Sequence, residues 1–324
     1  MSVSTQAFAG GFAVREQSAE FQGMSFAGNA AGGGGLSGMY WNPAIAAYAP
    51  AGLYSESSYS GIMSHVTITG DSYLAGTPVN LGLPRESGDI AKDAFVGASY
   101  MSWRLNSRLV AAISINSPFG LVTEPANRFW AGQTFARTSD IKTYNFSPTL
   151  AYMLTPQIAI GAGLQIQHIE ATLKSATGPS PLDPNVITHG DDTSFGFTLG
   201  INYAPTRWTN IGLGYRSSID QTLEGTVRIP DSLFPPAARG TAVKAGTTLP
   251  DLVTLSLRQG LTERFTLLAT AEWTHWSRLE KLNVVCVKDG TPGNPAFCPL
   301  GNGQVVNSLD LGWHDSWFFS VGGG

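Results

Sequence analysis

Strict two-residue alternation of apolar with small or polar side chains is the feature that most limits what this chain can fold into. From Gln157 to Gln167, Ile158, Ile160, Ala162, Leu164 and Ile166 fall on one side and Ala159, Gly161, Gly163, Gln165 and Gln167 on the other. Successive side chains of an extended strand point to opposite faces, so this is a strand with one apolar face. The pattern recurs from Ser194 to Tyr203, and at Leu109 to Ile115, Ile211 to Tyr215, Val253 to Leu257 and Phe265 to Trp273. About ten such strands are expected, from near Leu53 to Trp313–Val321, and the fold class is all-β.

A soluble sandwich also alternates, so the connections decide. Short polar turns fall at Leu105-Asn106-Ser107, Thr155-Pro156-Gln157, Pro205-Thr206-Arg207 and Leu261-Thr262-Glu263. Between these pairs come long Gly/Pro/Asp/Asn-rich stretches: Gly70 to Lys92, Pro118 to Ser139, Ser175 to Asp192, Pro230 to Leu249 and Val287 to Gly303. Short turns at one end and long loops at the other are the signature of a transmembrane antiparallel β-barrel of the bacterial outer membrane. Trp103 and Trp208 beside short turns, with Trp273 and Trp276 toward the opposite end, suit aromatic girdles at the two membrane interfaces, core packing being the alternative for each.

Composition agrees. Of 324 residues 43% are hydrophobic, 13% charged and 38 are glycine, whereas soluble domains carry about 25% charge and 7% glycine. No stretch reaches the roughly 18 apolar residues of a spanning helix. The net charge of −4, with scattered basic residues, offers nothing to nucleic acid. His65, His168, His189, His275 and His314 have no spacing that recommends a catalytic triad or a metal site, so neither enzyme chemistry, metal nor cofactor is expected. Cys286 and Cys298 share one loop and read as a disulfide of an oxidising compartment, with free thiols as the alternative. Ala7-Phe8-Ala9 before Gly10-Gly11 reads as the remnant of a signal-peptidase site over residues 1–9, or as a plain Ala/Gly tail.

Residues 10–50 do not alternate. They contain Gly10-Gly11-Phe12, Glu16-Gln17-Ser18, Ala27-Gly28-Asn29 and Tyr40-Trp41-Asn42-Pro43-Ala44. In this order they resemble the start of FadL-type outer-membrane transporters and their relatives for aromatic hydrocarbons. Asn116-Ser117-Pro118-Phe119-Gly120-Leu121 resembles the family's break in the third strand, and Asn145-Phe146-Ser147-Pro148-Thr149-Leu150-Ala151-Tyr152 its fourth strand. Proline cannot donate to a ladder and glycine tolerates bends, so the third strand is expected to break there. Gly32-Gly33-Gly34-Gly35 departs from the acidic residues usual in the family before Asn-Pro-Ala.

The resemblance implies a hatch, residues 10–50 with Asn42, Pro43 and Ala44 at its centre, folded inside a barrel of residues 51–324. It implies uptake of a hydrophobic molecule, a long-chain fatty acid or an aromatic hydrocarbon, with lateral exit at Pro118, Phe119 and Gly120. Family barrels have about fourteen strands, so about four are expected to be missing and the chain is C-terminally incomplete for that function. Lys142, Arg216, Arg258 and Glu272 are expected to be the few inward charges. Arg216 and Arg258 suit a ligand carboxylate, or pair with an interior acid such as Glu272. Leu233 and Phe234 form an apolar patch in a loop, for ligand docking or for local packing. Expected surroundings are outer-membrane lipid and lipopolysaccharide, around a monomer. The competing reading is a general porin for small polar solutes.

Overall fold

The computed structural model describes residues 11–73, 77, 79–230, 240–279, 281–287 and 303–323. Seventeen strand segments occur among them: β1 (Leu53–Ile62), β2 (Thr67–Thr69), β3 (Glu86–Asp89), β4 (Ala94–Arg104), β5 (Leu109–Asn116), β6 (Gly120–Thr123), β7 (Thr138–Thr155), β8 (Ile158–Ala176), β9 (Asn185–Thr206), β10 (Thr209–Arg216), β11 (Ile219–Arg228), β12 (Thr241–Leu249), β13 (Leu252–Gly260), β14 (Thr266–Thr274), β15 (Lys281–Cys286), β16 (Val305–Asp310) and β17 (Ser316–Gly323). Antiparallel pairing joins ten of them in the order β1-β4-β5-β7-β8-β9-β10-β13-β14-β17, and β6, β11, β12, β15 and β16 prolong this wall. The wall therefore has the ten strands that alternation predicts, several of them interrupted. β2 and β3 form a separate small hairpin.

The wall is inside-out relative to a soluble protein. Leu150, Leu164, Phe197, Leu199, Leu213 and Leu255 are exposed on its outer face, while Ser114, Asn145, Thr149, Gln165, Gln167, Thr198, Asn202, Thr254 and Ser256 are buried on its inner face. A lipid-facing surface needs apolar side chains, and the backbone bonds are met between strands.

Three expectations change. Parts of the connections expected at Ser175–Asp192 and Pro230–Leu249 are strand, because β8 runs to Ala176, β9 starts at Asn185 and β12 covers Thr241–Leu249. At ~3.3 Å per residue the 22 residues of β9 outreach an apolar band of about 25 Å. Beyond that band the outer face turns polar, as at the paired Glu170 and Asp191, so the strand continues where the apolar outer stripe has ended. Lys142 faces outward, exposed on the same side of β7 as Tyr144 and Phe146, and its ammonium meets Asp140 at 2.8 Å. Trp276 is no girdle residue: it sits at the start of a 3-10 turn, Trp276–Arg278, and is 2% exposed.

Candidate transport site

The N-terminal segment before β1 is packed against the inner wall. Its short helix Ala19–Gly23 is capped by Ser18, whose hydroxyl accepts from the Phe21 N–H at 3.3 Å. Two 3-10 turns follow, Leu36–Tyr40 and Pro43–Tyr48. Asn42 caps the second: its carboxamide oxygen accepts from the Ala44 N–H at 3.0 Å, and its Nδ2 donates to the carbonyls of Ala30 at 2.7 Å and Ile201 at 3.0 Å. Pro43 at the first helical position has no N–H to orphan.

The wall makes room for this segment with glycine. Gly161, Gly200 and Gly214 pair across β8, β9 and β10 in a single row. A Cβ would lie 2.4 Å from the Ala44 nitrogen at Gly161, 2.0 Å from the Asn42 side chain at Gly200, and 1.8 Å from the Trp41 carbonyl oxygen at Gly214. The row is the seat of Trp41-Asn42-Pro43-Ala44. Alternation shows these glycines inward but not the backbone opposite them, so their purpose is invisible before the register is known. Inward hydroxyls and amides complete the seat: Thr270 accepts from the Gly28 N–H at 2.9 Å, Ser256 from the Ala30 N–H at 3.1 Å, and Asn202 donates to the Ala31 carbonyl at 3.0 Å. Arg258 donates to the carbonyl of Gly33 at 2.6 Å. Gly32 and Gly33 adopt φ of +79° and +82°, a conformation that glycine tolerates without a Cβ penalty.

The third strand breaks where Pro118-Phe119-Gly120 predicts. β5 ends at Asn116 opposite Asn145, β6 resumes at Gly120 opposite Lys142, and the register slips by one. On the other side β4 pairs with β5 only from Ser99 onward, so Ala94–Ala98 face no ladder partner there. The break is closed from inside. The Gly120 N–H donates to the Phe12 carbonyl and the Val14 N–H to the Pro118 carbonyl, each at 2.9 Å. Gln17 Nε2 donates to the Ser117 carbonyl at 2.9 Å, while the Thr143 hydroxyl donates to the Phe119 carbonyl at 2.7 Å and accepts from its N–H at 2.9 Å. Arg15 anchors this tip by an ion pair to buried Glu272 at 2.7 Å and lies 3.8 Å from the Phe318 ring centroid. Glu272 therefore pairs with an arginine of the plug, not with Arg216 or Arg258.

Four more breaks, after Arg216, Leu249, Thr274 and Asp310, fall next to each other in the wall. Phe12, Phe119, Trp276 and Trp313 fill the space inside them, with ring centroids 4.9–6.1 Å apart. This aromatic cluster divides two spaces. On the loop side is a cavity of about 350 Å³ walled by Phe12, Leu121, Ile141, Ile169, Leu223, Leu249, Leu279 and Trp313, with Lys174 its one charged neighbour among the described residues. On the other side is a chamber of about 50 Å³ bordered by Arg15, Tyr40, Gln165, Gln167, Arg216 and Glu272. Phe135 and Ala136 of the connection before β7 border the cavity, and that connection is tied to the one after β8. Arg137 donates to the Asp183 carbonyl and Asn185 Oδ1, both at 2.8 Å, and buried Gln133 donates to the Gly178 carbonyl at 3.0 Å. Burial lowers the Arg137 pKa from its ordinary value, yet a guanidinium remains charged at neutral pH.

A barrel with a seated plug, a broken third strand and an apolar cavity behind it matches one family model, outer membrane protein transport protein (OMPP1/FadL/TodX), over residues 1–324. The chain belongs to this family. As a member of OMPP1/FadL/TodX it is a transport protein of the Gram-negative outer membrane and not an enzyme. It is 26% identical to outer membrane protein P1 of Haemophilus influenzae over 320 residues, 85% of this chain and 68% of that protein. It is 24% identical to the long-chain fatty acid transport protein of Escherichia coli strain K12 over 364 aligned positions, 99% of this chain and 79% of that one. Among solved structures, a Pseudomonas aeruginosa FadL homologue superposes with a TM-score of 0.73 at 20% identity, covering 97% of this chain and 77% of its own. The Ralstonia pickettii toluene transporter TbuX superposes at 0.62 with 17% identity, covering 89% and 77%. The shared architecture is the β-barrel of the family.

Of the site residues expected for an OMPP1/FadL/TodX transporter, the structure brings Pro118 and Phe119 together with Arg216 around the chamber, Asn42, Pro43 and Ala44 onto the glycine row, and Arg258 onto Gly33. Arg216 donates to the Tyr40 carbonyl at 3.2 Å and to Gln165. Leu233, Phe234 and Cys298 lie outside the described residues, as does the cleavage-site stretch 7–10; Cys286 is disulfide-bonded. Gln17, Thr143 and the Arg15–Glu272 pair are functional candidates beyond those expected. Gln17 stands in the Glu-Gln-Ser element, but what it clasps is a backbone 100 residues away.

Proposed function

We propose that this chain takes up hydrophobic molecules of the long-chain fatty acid or aromatic hydrocarbon class, captures them among the extracellular loops, holds them in the 350 Å³ cavity, and releases them sideways at Pro118–Gly120. One observation carries the reading. Phe12, which walls the cavity, is the same residue whose carbonyl closes the strand break. A ligand that fills the cavity and displaces Phe12 therefore loosens the backbone bonds that shut the side exit. The cavity lies at the lower end of the size range of small-molecule pockets and is largely apolar. The names of two relatives, a long-chain fatty acid transport protein and a toluene transporter, support the substrate classes. A plug seated across the interior suits this route better than an open aqueous pore.

The test is uptake into liposomes. Replacing Pro118 and Gly120 with valine, so that β5 and β6 run on as one strand, is expected to abolish delivery of a fatty acid or toluene while leaving binding within about twofold. Unchanged delivery would overturn the lateral route. Passage of small sugars at porin-like rates through the unaltered protein would overturn uptake of hydrophobic cargo altogether.

A further inference from the structure

The small hairpin β2–β3 lies in the connection between β1 and β4, at the end of the barrel opposite the short turns and so outside the cell. Its two edges are treated differently. The β3 edge is covered by the connection after β6: the Glu124 N–H donates to the Ile90 carbonyl at 2.8 Å, and the N–H groups of Ala126 and Asn127 to the carbonyls of Asp89 and Ser87, each at 2.9 Å. The β2 edge is bare. Thr67 stands opposite Asp89 and Thr69 opposite Glu86, while the bonds that join the strands run from the Ile90 N–H to the Val66 carbonyl at 2.8 Å and from the Gly70 N–H to the Arg85 carbonyl at 3.0 Å. Both threonines are therefore in non-hydrogen-bonded pairs, and their peptide N–H and C=O groups point away from β3. Among the described residues nothing takes these two donors and two acceptors, and Met63 to Thr69 are all exposed. Natural edge strands are guarded by lysine, proline or a cover. Met63 to Tyr73 holds neither lysine nor proline.

We infer that β2 is a docking edge for β2 of a second copy of this chain, antiparallel and centred on Ile68. Only another extended backbone offers N–H and C=O at every second residue, and lipid does not. In this register β2 complements itself. Thr67 meets Thr69 of the second copy and Thr69 meets its Thr67, each pair exchanging both backbone bonds, so no group on the bare edge is left over. Ile68 meets Ile68 of the second copy in a non-hydrogen-bonded pair, with Cα atoms about 4.5 Å apart. Val66 and Ile68, 46% and 44% exposed, are thereby covered on one face. Charge agrees: His65, whose Nδ1 meets Asp89 at 2.8 Å, falls opposite Asp71 of the second copy, which is held by its own Arg85 at 3.0 Å, and no like charges are opposed. The contact is far smaller than the roughly 1,200 Å² of stable interfaces, so it is weak in dilute detergent. Confinement of many barrels to one membrane raises their effective concentration and favours it there. Each hairpin has one bare edge, so association stops at a pair. The barrel expected as a monomer is then paired in the membrane, at a surface that takes no part in uptake.

The experiment is disulfide trapping of the full chain at high density in lipid vesicles. Ile68→Cys places two thiols across the two-fold axis at a separation that a disulfide spans, about 4.4–6.8 Å between Cα atoms. Cys286 is already disulfide-bonded. Mild oxidation is expected to trap Ile68→Cys as a covalent dimer about tenfold faster than Val79→Cys, a control that is 54% exposed and lies on the returning side of the same hairpin. Thr67→Pro removes an edge donor but none of the hairpin's own bonds, so in the Ile68→Cys background it should slow trapping about tenfold while the far-ultraviolet circular dichroism is unchanged. Equal trapping of Ile68→Cys and Val79→Cys, or trapping that Thr67→Pro leaves as fast, overturns the pairing. Binding of the free peptide of residues 64–70 by a protein whose Ile68→Cys variant is not trapped also overturns it, and assigns the edge to a foreign strand. None of these outcomes touches the uptake reading.

Discussion

The plug has two parts held by opposite means. Residues 28–49 rest on the wall across a glycine row, with backbone pressed on backbone and inward Thr, Ser and Asn side chains meeting the peptide groups of Gly28, Ala30 and Ala31. Residues 12–17 reach the wall through two backbone bonds, one glutamine, one ion pair and the Phe12 ring packed on Phe119, Trp276 and Trp313, and what they meet is a strand that proline has already broken. Close-packed backbone has no small rearrangement open to it. A few polar bonds can be exchanged one at a time for a ligand or for water. On the proposed uptake route the seat stays and the tip lets go.

The strongest way to break that contrast is to fill the seat. Gly214→Val puts a side chain where the Trp41 carbonyl lies, at a strain of about 3 kcal/mol or more. The plug as a whole is expected to lift, and planar-bilayer recordings should show a higher ion conductance than the unaltered protein gives. Unchanged conductance would mean that the seat does not hold the plug in place. Next is Glu272→Gln, which leaves Arg15 without its counter-charge and costs the tip about 3 kcal/mol. Exchange of the Val14 and Gly120 amide hydrogens should quicken by about a hundredfold while those of Gly28 and Ala30 hold; equal acceleration at both would show that seat and tip move as one. Asn42→Ala removes a cap and two donors and is expected to cost about 2 kcal/mol, read as a lower unfolding midpoint with the tip amides unaffected. Smallest is Thr143→Val. It frees the Phe119 peptide at about 1 kcal/mol and should speed ligand release without changing thermal stability measurably.

The membrane-embedded wall could be read directly from alternation, because lipid on one side and polar plug on the other impose opposite demands on successive residues. Phe197 and Thr198, or Leu164 and Gln165, carry that message in adjacent positions. Where the demands vanish the reading fails. Lys142 stands at the outer end of β7, where water has replaced lipid, and so it was legible as polar but not as outward. Trp276 follows Trp273 closely enough to share its strand, yet the wall breaks between them and turns it inward. The break in the third strand was visible as Pro118 and Gly120, since chain chemistry alone forbids a regular ladder there. Its closure was not, because Gln17 and Thr143 act on backbone atoms, and no side-chain pattern marks which backbone a donor will meet. The Arg216 chamber lies between those cases. The arginine stood out as an inward charge, but only the register places Glu272 with Arg15 and leaves Arg216 without an acid.

The seat also dictates an order of assembly. Its bonds join residues 159 positions apart at Asn42 and Ile201, 226 at Ala30 and Ser256, and 242 at Gly28 and Thr270, and 295 separate Ser25 from Ser320, whose hydroxyl donates to its carbonyl. Contacts so distant in sequence make folding slow, since each long loop must close before its bond forms. A finished wall would offer the plug no way in past its own glycine row, so residues 12–49 must wait, unpaired, for the strands up to β17 that close over them. The protein is thus a wall raised around its own stopper, and its insertion depends on keeping residues 12–49 from settling anywhere else.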